Sequence, residues 1–232
     1  MSNRQLVVAM DFDDVDIALR LAGQLDPAHC RLKVGHQLYT SAGPLAVRRL
    51  QDEGFEIFLD LKFHDIPNTV ASACRAAADL GAWMVNVHAA GGPVMLEAAA
   101  RAVEGTSTLV TAVTILTSFD SAQFNQVGYR GEIADQVVAM ARMSEQAGLH
   151  GVVCSAQEIT LLRAALGTEF LLVTPGIRPK GAAKGDQQRV MTPGEAVAAG
   201  SNQLVVGRPI TQSTNPGSVV EAIYQEIVGS HS

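Results

Sequence analysis

Phe58-Leu59-Asp60-Leu61-Lys62-Phe63-His64-Asp65-Ile66-Pro67-Asn68-Thr69 begins as an apolar run and ends among ionisable residues. Its first half is a strand by pattern. Side chains alternate faces along a strand, so Phe58, Asp60 and Lys62 are predicted to share one face, with Ile57, Leu59 and Leu61 on the other. Pro67 stops the extended pattern, and the small-residue run from Thr69 onward reads as a helix with proline in its first turn. Taken alone, the charges admit a plain reading: Asp60 and Lys62 as a solvated strand end, and Asp65 as a helix cap. The rest of the chain decides against it.

The same strand-then-helix unit repeats on both sides of this stretch. Strands are predicted over 5–10, 31–34, 56–62, 83–87, 108–115, 151–154, 170–173 and 203–206. Helices are predicted over 15–24, 44–53, 67–80, 93–103, 132–147, near 156–165, and over 193–199 and 219–228. Eight units with continuous apolar strands imply parallel strands covered by helices, a (β/α)8 barrel built as one domain over 1–232. A doubly wound open sheet is the competing arrangement. It calls for fewer strands or a phosphate-binding G-x-G-x-x-G after strand 1, and Met10-Asp11-Phe12-Asp13 has neither glycine nor that spacing. One connection stands out, 174–191 with Gly176, Gly181 and Gly185, long enough to suggest a functional lid.

Composition narrows the function classes. The 232 residues are 47% hydrophobic and 17% charged, which describes a packed globule. A net charge of −6 argues against nucleic acid as a partner, because that binding rests on neutralising phosphates with many cations. No apolar signal segment follows Met1 and no run of 18 apolar residues occurs, so a cytoplasmic protein without membrane attachment is expected. Cys30, Cys74 and Cys154 are odd in number, widely spaced and set in apolar surroundings, as buried free thiols in a reducing compartment would be.

In a (β/α)8 barrel the chemistry sits at the carboxyl ends of the strands. Polar residues collect there repeatedly: Asp11 after strand 1, Lys33 on strand 2, Asp60 and Lys62 on strand 3, Asn86 and His88 on strand 4, Thr117 after strand 5, Gly207-Arg208 after strand 8. Lys33, Asp60, Lys62 and Asp65 are expected to converge in one pocket and sum to zero charge. A lysine flanked by two carboxylates is held as ammonium. Lys62 is therefore cast as a general acid rather than a Schiff-base nucleophile, which must lose its proton. The same ammonium takes the place a Mg2+ would occupy between the carboxylates. Thr174-Pro175-Gly176-Ile177-Arg178-Pro179, Asp186-Gln187-Gln188-Arg189 and Val206-Gly207-Arg208-Pro209 supply arginine, amides and backbone N–H groups where such barrels commonly hold phosphate. His64 and His88 read as hydrogen-bonding structural residues, and Trp83 as core.

Two neighbouring helices carry little polar surface. The helix over 69–80 has charge only at Arg75 and Asp79, and that over 94–104 only at Glu97, Arg101 and Glu104. An outer helix of a monomeric barrel should present a broad polar face. A second buried side, as in an isologous homodimer, is expected here, with Asp65 placed to cross over.

Asp60-Leu-Lys62-Phe-His-Asp65-Ile-Pro-Asn-Thr69, Thr174-Pro-Gly-Ile-Arg178-Pro and Val206-Gly207-Arg208-Pro resemble the signature segments of the bacterial orotidine 5'-phosphate decarboxylases. The match runs from Val8-Ala-Met-Asp11 to Gly207-Arg208. The resemblance implies decarboxylation of orotidine 5'-monophosphate (OMP) to UMP, the last step of de novo pyrimidine nucleotide synthesis, without cofactor or metal, in a (β/α)8 homodimer. By position, Lys62 resembles the proton donor to C6, and Lys33, Asp60 and Asp65 its charged partners, with Asp65 and Thr69 reaching the neighbouring subunit's site. Asp11 resembles the ribose ligand, Thr117 the pyrimidine ligand, Gln187 the bridge between pyrimidine and phosphate, and Arg178, Gly207 and Arg208 the phosphate grip. Two other readings stay open at this point: a metal-dependent sugar-phosphate enzyme sharing the D-x-K-x-x-D logic, and a non-catalytic barrel that binds phosphonucleosides.

Overall fold

The structure is a computed structural model that describes residues 4–179 and 191–229. Eight strands, β1 (Leu6–Ala9), β2 (Cys30–Gly35), β3 (Ile57–Phe63), β4 (Met84–His88), β5 (Leu109–Val113), β6 (Gly151–Val153), β7 (Leu171–Pro175) and β8 (Gln203–Val206), pair in chain order. Every pairing is parallel, and β8 closes on β1 through Leu6↔Leu204 to Val8↔Val206. The apolar runs are continuous because both faces are buried. Val7, Ala9, Phe58, Met84, Val173 and Val205 fill the barrel, while Val8, Leu32, Ile57, Leu59, Val85 and Val87 belong to the larger layer beneath the helices.

The amino-terminal end of the barrel holds a buried charge with a structural explanation. The Arg31 guanidinium lies 4.0 Å above the Trp83 ring, donates to Glu56 Oε2 at 2.6 Å, and donates to the Arg4 carbonyl. A buried cation without such partners would cost several kcal/mol. Polar residues at this end therefore hold the fold together, which separates them from those at the opposite end.

The helices cover the barrel as expected, with local differences. Asp14 caps α1 (Val15–Ala22) by accepting from Asp16 N at 2.6 Å and Ile17 N at 3.3 Å. One helix is predicted after β2, but two form, α2 (His36–Ala42) and α3 (Pro44–Asp52). Gly43, at φ +61, and Pro44 break the path, since the glycine takes a left-handed turn and the proline can only start a new helix. The helix α4 (Pro67–Asp79) begins at its proline and packs beside α5 (Gly92–Ala102).

Beyond β5 comes a short helix outside the predicted set, α6 (Ser121–Gln126), set by the Asp120/Gln123 capping box and burying only Phe124. After it come α7 (Ile133–Gln146) and α8 (Ile159–Leu166), the latter preceded by a 3-10 turn at Ala156–Glu158. The chain continues through α9 (Pro193–Ala198), the one-turn α10 (Arg208–Thr211), and α11 (Pro216–Gly229), which starts three residues before the predicted boundary. Among the described residues no helix is long and apolar enough to cross a membrane.

Candidate active site

Inward-facing positions on adjacent strands bring the charges together. Lys33 on β2 pairs in register with Phe58, so it stands one step below Asp60, which pairs with Gly35. Lys33 Nζ is 3.1 Å from Asp60 Oδ2 and 3.3 Å from Asp11 Oδ1. Lys62 Nζ is 2.6 Å from Asp60 Oδ1. The result is a chain of alternating sign, Asp11, Lys33, Asp60, Lys62, at the carboxyl end of the barrel. The Lys62 side chain is 30% exposed against 12% for Asp60 and 11% for Lys33, so Lys62 is the member of the buried trio that a ligand above the barrel would meet.

The electrostatics follow from this packing. Burial pulls the Lys33 ammonium downward, but the charges of Asp60 and Asp11 and their hydrogen bonds outweigh it and leave its pKa raised. Burial pushes the Asp60 carboxyl up, yet Lys33, then Lys62, and hydrogen bonds from Lys62 and Asn86 hold it at about 2. Asp60 is thus an anion at any working pH. Two ammonium groups and two carboxylates make up the cluster, and among the described residues no three His, Cys, Asp or Glu side chains gather as a metal-ligand set.

Strict alternation does not describe Lys62. Its backbone has φ +49, the left-handed region, and the β3–β4 register shifts between Leu59 and Phe63. For a lysine this conformation costs on the order of 1–3 kcal/mol and persists only where the surroundings impose it. Lys62 reaches Asp60 from a bulge and not from the next inward position of a regular strand.

The fourth predicted member, Asp65, is elsewhere. It is exposed, accepts from Ile66 N at 2.6 Å, and makes no ion pair with Lys62 of its own chain. Within one chain Asp11 takes its place in the cluster. His64, Asp65, Ile66 and Pro67 line a surface depression with Ala90 and Gly91. Ile66 and Val94, 67% and 63% exposed, lie at the amino ends of α4 and α5 on the same side of the barrel, and Thr69 is exposed in the first turn of α4.

The residues expected to hold phosphate divide by burial. Arg178 is buried and donates to the Ile177 carbonyl at 3.0 Å, next to Gly176 at φ +81. Arg208 is exposed at the start of α10, directly after Gly207. Thr117 is exposed past the end of β5. Gln187, with the rest of 180–190, lies outside the described residues.

The profile of the Orotidine 5'-phosphate decarboxylase / HUMPS family matches residues 4–223. The chain belongs to this family. A relative from Nitrosococcus oceani, named orotidine 5'-phosphate decarboxylase, is 55% identical over 229 residues, covering 98% of this chain and 99% of that protein. One of the same name from Halorhodospira halophila is 56% identical over 228 residues, 97% of each chain. The crystal structure of orotidine 5'-phosphate decarboxylase from Lactobacillus acidophilus superposes with a TM-score of 0.86 at 38% identity, over 97% of this chain and 99% of that one.

Within this member of the family, His88 and the cysteines take the parts expected of them, whereas His64 is exposed and makes no hydrogen bond among the described residues. His88 Nδ1 accepts from Ala90 N at 3.3 Å and caps the 3-10 turn Ala89–Gly91. Its ring stacks on His64 with centroids 5.3 Å apart. Burial, then His64 and Lys62, lowers the His88 pKa and keeps the ring neutral as an acceptor. The three free cysteines are buried, and burial pushes each thiol to about 12, too high for a nucleophile. Two contacts lie beyond sequence reasoning: the Asp11–Lys33 pair, and the buried amide of Asn86, which touches both Asp60 and the Lys62 backbone.

Proposed function

We propose that this chain decarboxylates OMP to UMP without cofactor or metal, as a single (β/α)8 unit that works as a cytoplasmic homodimer in pyrimidine nucleotide synthesis. The observation that carries the reading is the alternating chain of charges ending in a partly exposed Lys62 ammonium, 2.6 Å from a buried carboxylate. The names of relatives at 55% and 56% identity over nearly the whole chain support the substrate.

The chemistry fits such a site. When the C6–CO2 bond breaks, carbon dioxide leaves and the electron pair stays on C6, with no electron sink such as a pyridoxal ring to receive it. Stabilisation must come from fixed charge aimed at the reacting atom. The Lys62 ammonium stabilises the developing pair and then transfers a proton from Nζ to C6, giving UMP, and solvent reprotonates the amine. Lys33 and Asp60 hold Lys62 in place, and the Asp60 anion faces the substrate carboxylate. Asp11 takes the ribose, Thr117 the pyrimidine, Gln187 links pyrimidine to phosphate, and Arg178, Gly207 and Arg208 hold the phosphate. Asp65 and Thr69 serve the partner's site. That sharing is supported by Asp65 making no ion pair with its own Lys62 and by exposed Ile66 and Val94 beside it.

The test follows the fall in absorbance as OMP becomes UMP after metal is stripped with EDTA. Full activity is expected. Binding of OMP without turnover, or a rate lost on chelation and restored by Mg2+, would reject the proposal.

Phosphate binding far from C6 can drive closure over the substrate, so that remote binding energy appears in the rate. Arg208→Ala removes one charge-assisted bond of about 1.5–3 kcal/mol. A loss in kcat/KM of roughly 10- to 100-fold is expected, shared between a higher KM and a lower kcat. A change in KM alone would sink the closure argument.

A further inference from the structure

The chemistry at the head of β3 depends on a break in the strand that its apolar pattern conceals. β3 and β4 pair at Phe58↔Met84 and Leu59↔Val85, and the next pair is Phe63↔Val87. Asp60, Leu61 and Lys62 therefore stand opposite a single residue, Asn86. Such a bulge loses its regular ladder partners and turns its side chains in a new direction. Lys62 is the non-glycine residue of the described chain with positive φ, at +49, and a strained backbone of this kind is kept only by what surrounds it.

Asn86 provides those surroundings. It is fully buried, accepts from Lys62 N through Oδ1 at 2.8 Å, and donates through Nδ2 to Asp60 Oδ1 at 2.7 Å. Both halves of one amide are used on the two residues that matter. The other groups touching Asp60, the Lys33 and Lys62 ammoniums, are donors only, so neither supplies the acceptor that Lys62 N needs. Asp11 lies behind Lys33, and His88 spends its acceptor on Ala90.

We propose that Asn86 is a positioning residue for the reaction: its carbonyl holds the Lys62 backbone in the left-handed turn while its amino group orients the Asp60 carboxylate toward the Lys62 ammonium. The inference rests on the assignment of Lys62 as proton donor to C6.

The test compares Asn86→Asp, which keeps the shape and the acceptor but loses the donor, with Asn86→Ala, which loses both. At neutral pH each is expected to lower kcat for OMP about 100-fold, the scale of a ~1 Å misplacement. Affinity for UMP should stay within about threefold, since the phosphate and ribose contacts are untouched. Two carboxylates in contact take up one proton between them, and that proton restores a donor toward Asp60. Asn86→Asp alone should therefore regain kcat as pH falls, while Asn86→Ala should not.

A space-filling role predicts wild-type kcat for the equal-sized Asn86→Asp at every pH. That result overturns the proposal, as does loss of UMP binding in step with kcat. If Asn86→Ala does not fold, Asn86→Asp decides alone. A wild-type protein that leaves OMP unchanged would instead reject the assigned reaction. The placement of Asp60 is then read from its carboxyl 13C resonance, which should titrate near 2 in the wild type and higher in either variant; an unmoved titration overturns the inference.

Discussion

Lys62→Ala is expected to lower kcat for OMP about 10^5-fold while the protein stays folded and still binds UMP. Losing a general acid alone costs about 10²- to 10⁴-fold. Losing a fixed donor aimed at developing charge costs about 10²- to 10³-fold more. In the proposed mechanism one ammonium performs both tasks, so the combined loss falls near the product of mid-range values. The fold survives because Asp60 keeps Lys33 at 3.1 Å and the Asn86 amide at 2.7 Å, so its buried charge is not orphaned. Steady-state decarboxylation and UMP titration on the same preparation check both halves. A variant that keeps most of its activity removes Lys62 from the role of proton donor.

The second large effect is a recovery of activity. Lys62→Ala and Asp65→Ala homodimers are each expected to be nearly inactive, and mixing them under conditions that exchange subunits should restore roughly a quarter of wild-type activity. The arithmetic follows from a site built by two chains. Random exchange makes half the dimers mixed, and each mixed dimer has one site with both lesions and one site with neither. If Asp65 instead served its own chain, every site would keep one lesion. Exchange proven by mass, with no return of activity, would defeat the shared site. Asp65 lies exposed within its own chain, with Ile66 beside it 67% exposed, which is the placement a crossing residue needs.

Much of this architecture is legible in the sequence. Parallel strands buried on both faces have to be apolar throughout, so Leu6–Ala9 and Gln203–Val206 announce themselves and the count of eight follows. Lys33, Asp60 and Lys62 stand out because charge at the end of an apolar strand has to be explained by pairing. The bulge at Lys62 leaves no such trace. Phe58-Leu-Asp-Leu-Lys62 alternates without a glycine to mark the turn, and the force that bends it comes from Asn86, on another strand. Helix α2 has no such sequence signal because, in His36–Ala42, only Leu38 is buried, too little for an apolar stripe. The Asp11–Lys33 contact joins residues 22 apart in the chain, and spacing alone does not show which carboxylate a lysine will choose.

The closure of β8 on β1 also sets an order of assembly during synthesis. Asp11, Lys33, Asp60, Lys62 and Asn86 all lie on or beside the first four strands, each of which pairs with its neighbour in the chain. Arg178, Gly207 and Arg208 belong to the last two. A nascent chain that has reached β4 already holds every charge of the proposed catalytic cluster, yet Leu6, Val7 and Val8 remain an unpaired apolar edge until Leu204, Val205 and Val206 arrive. An open edge of that kind invites pairing with another chain. The half of the barrel that carries the proposed catalytic charges is thus made first and sheltered last, and its exposure while unfinished lasts as long as the ribosome takes to reach the final strand.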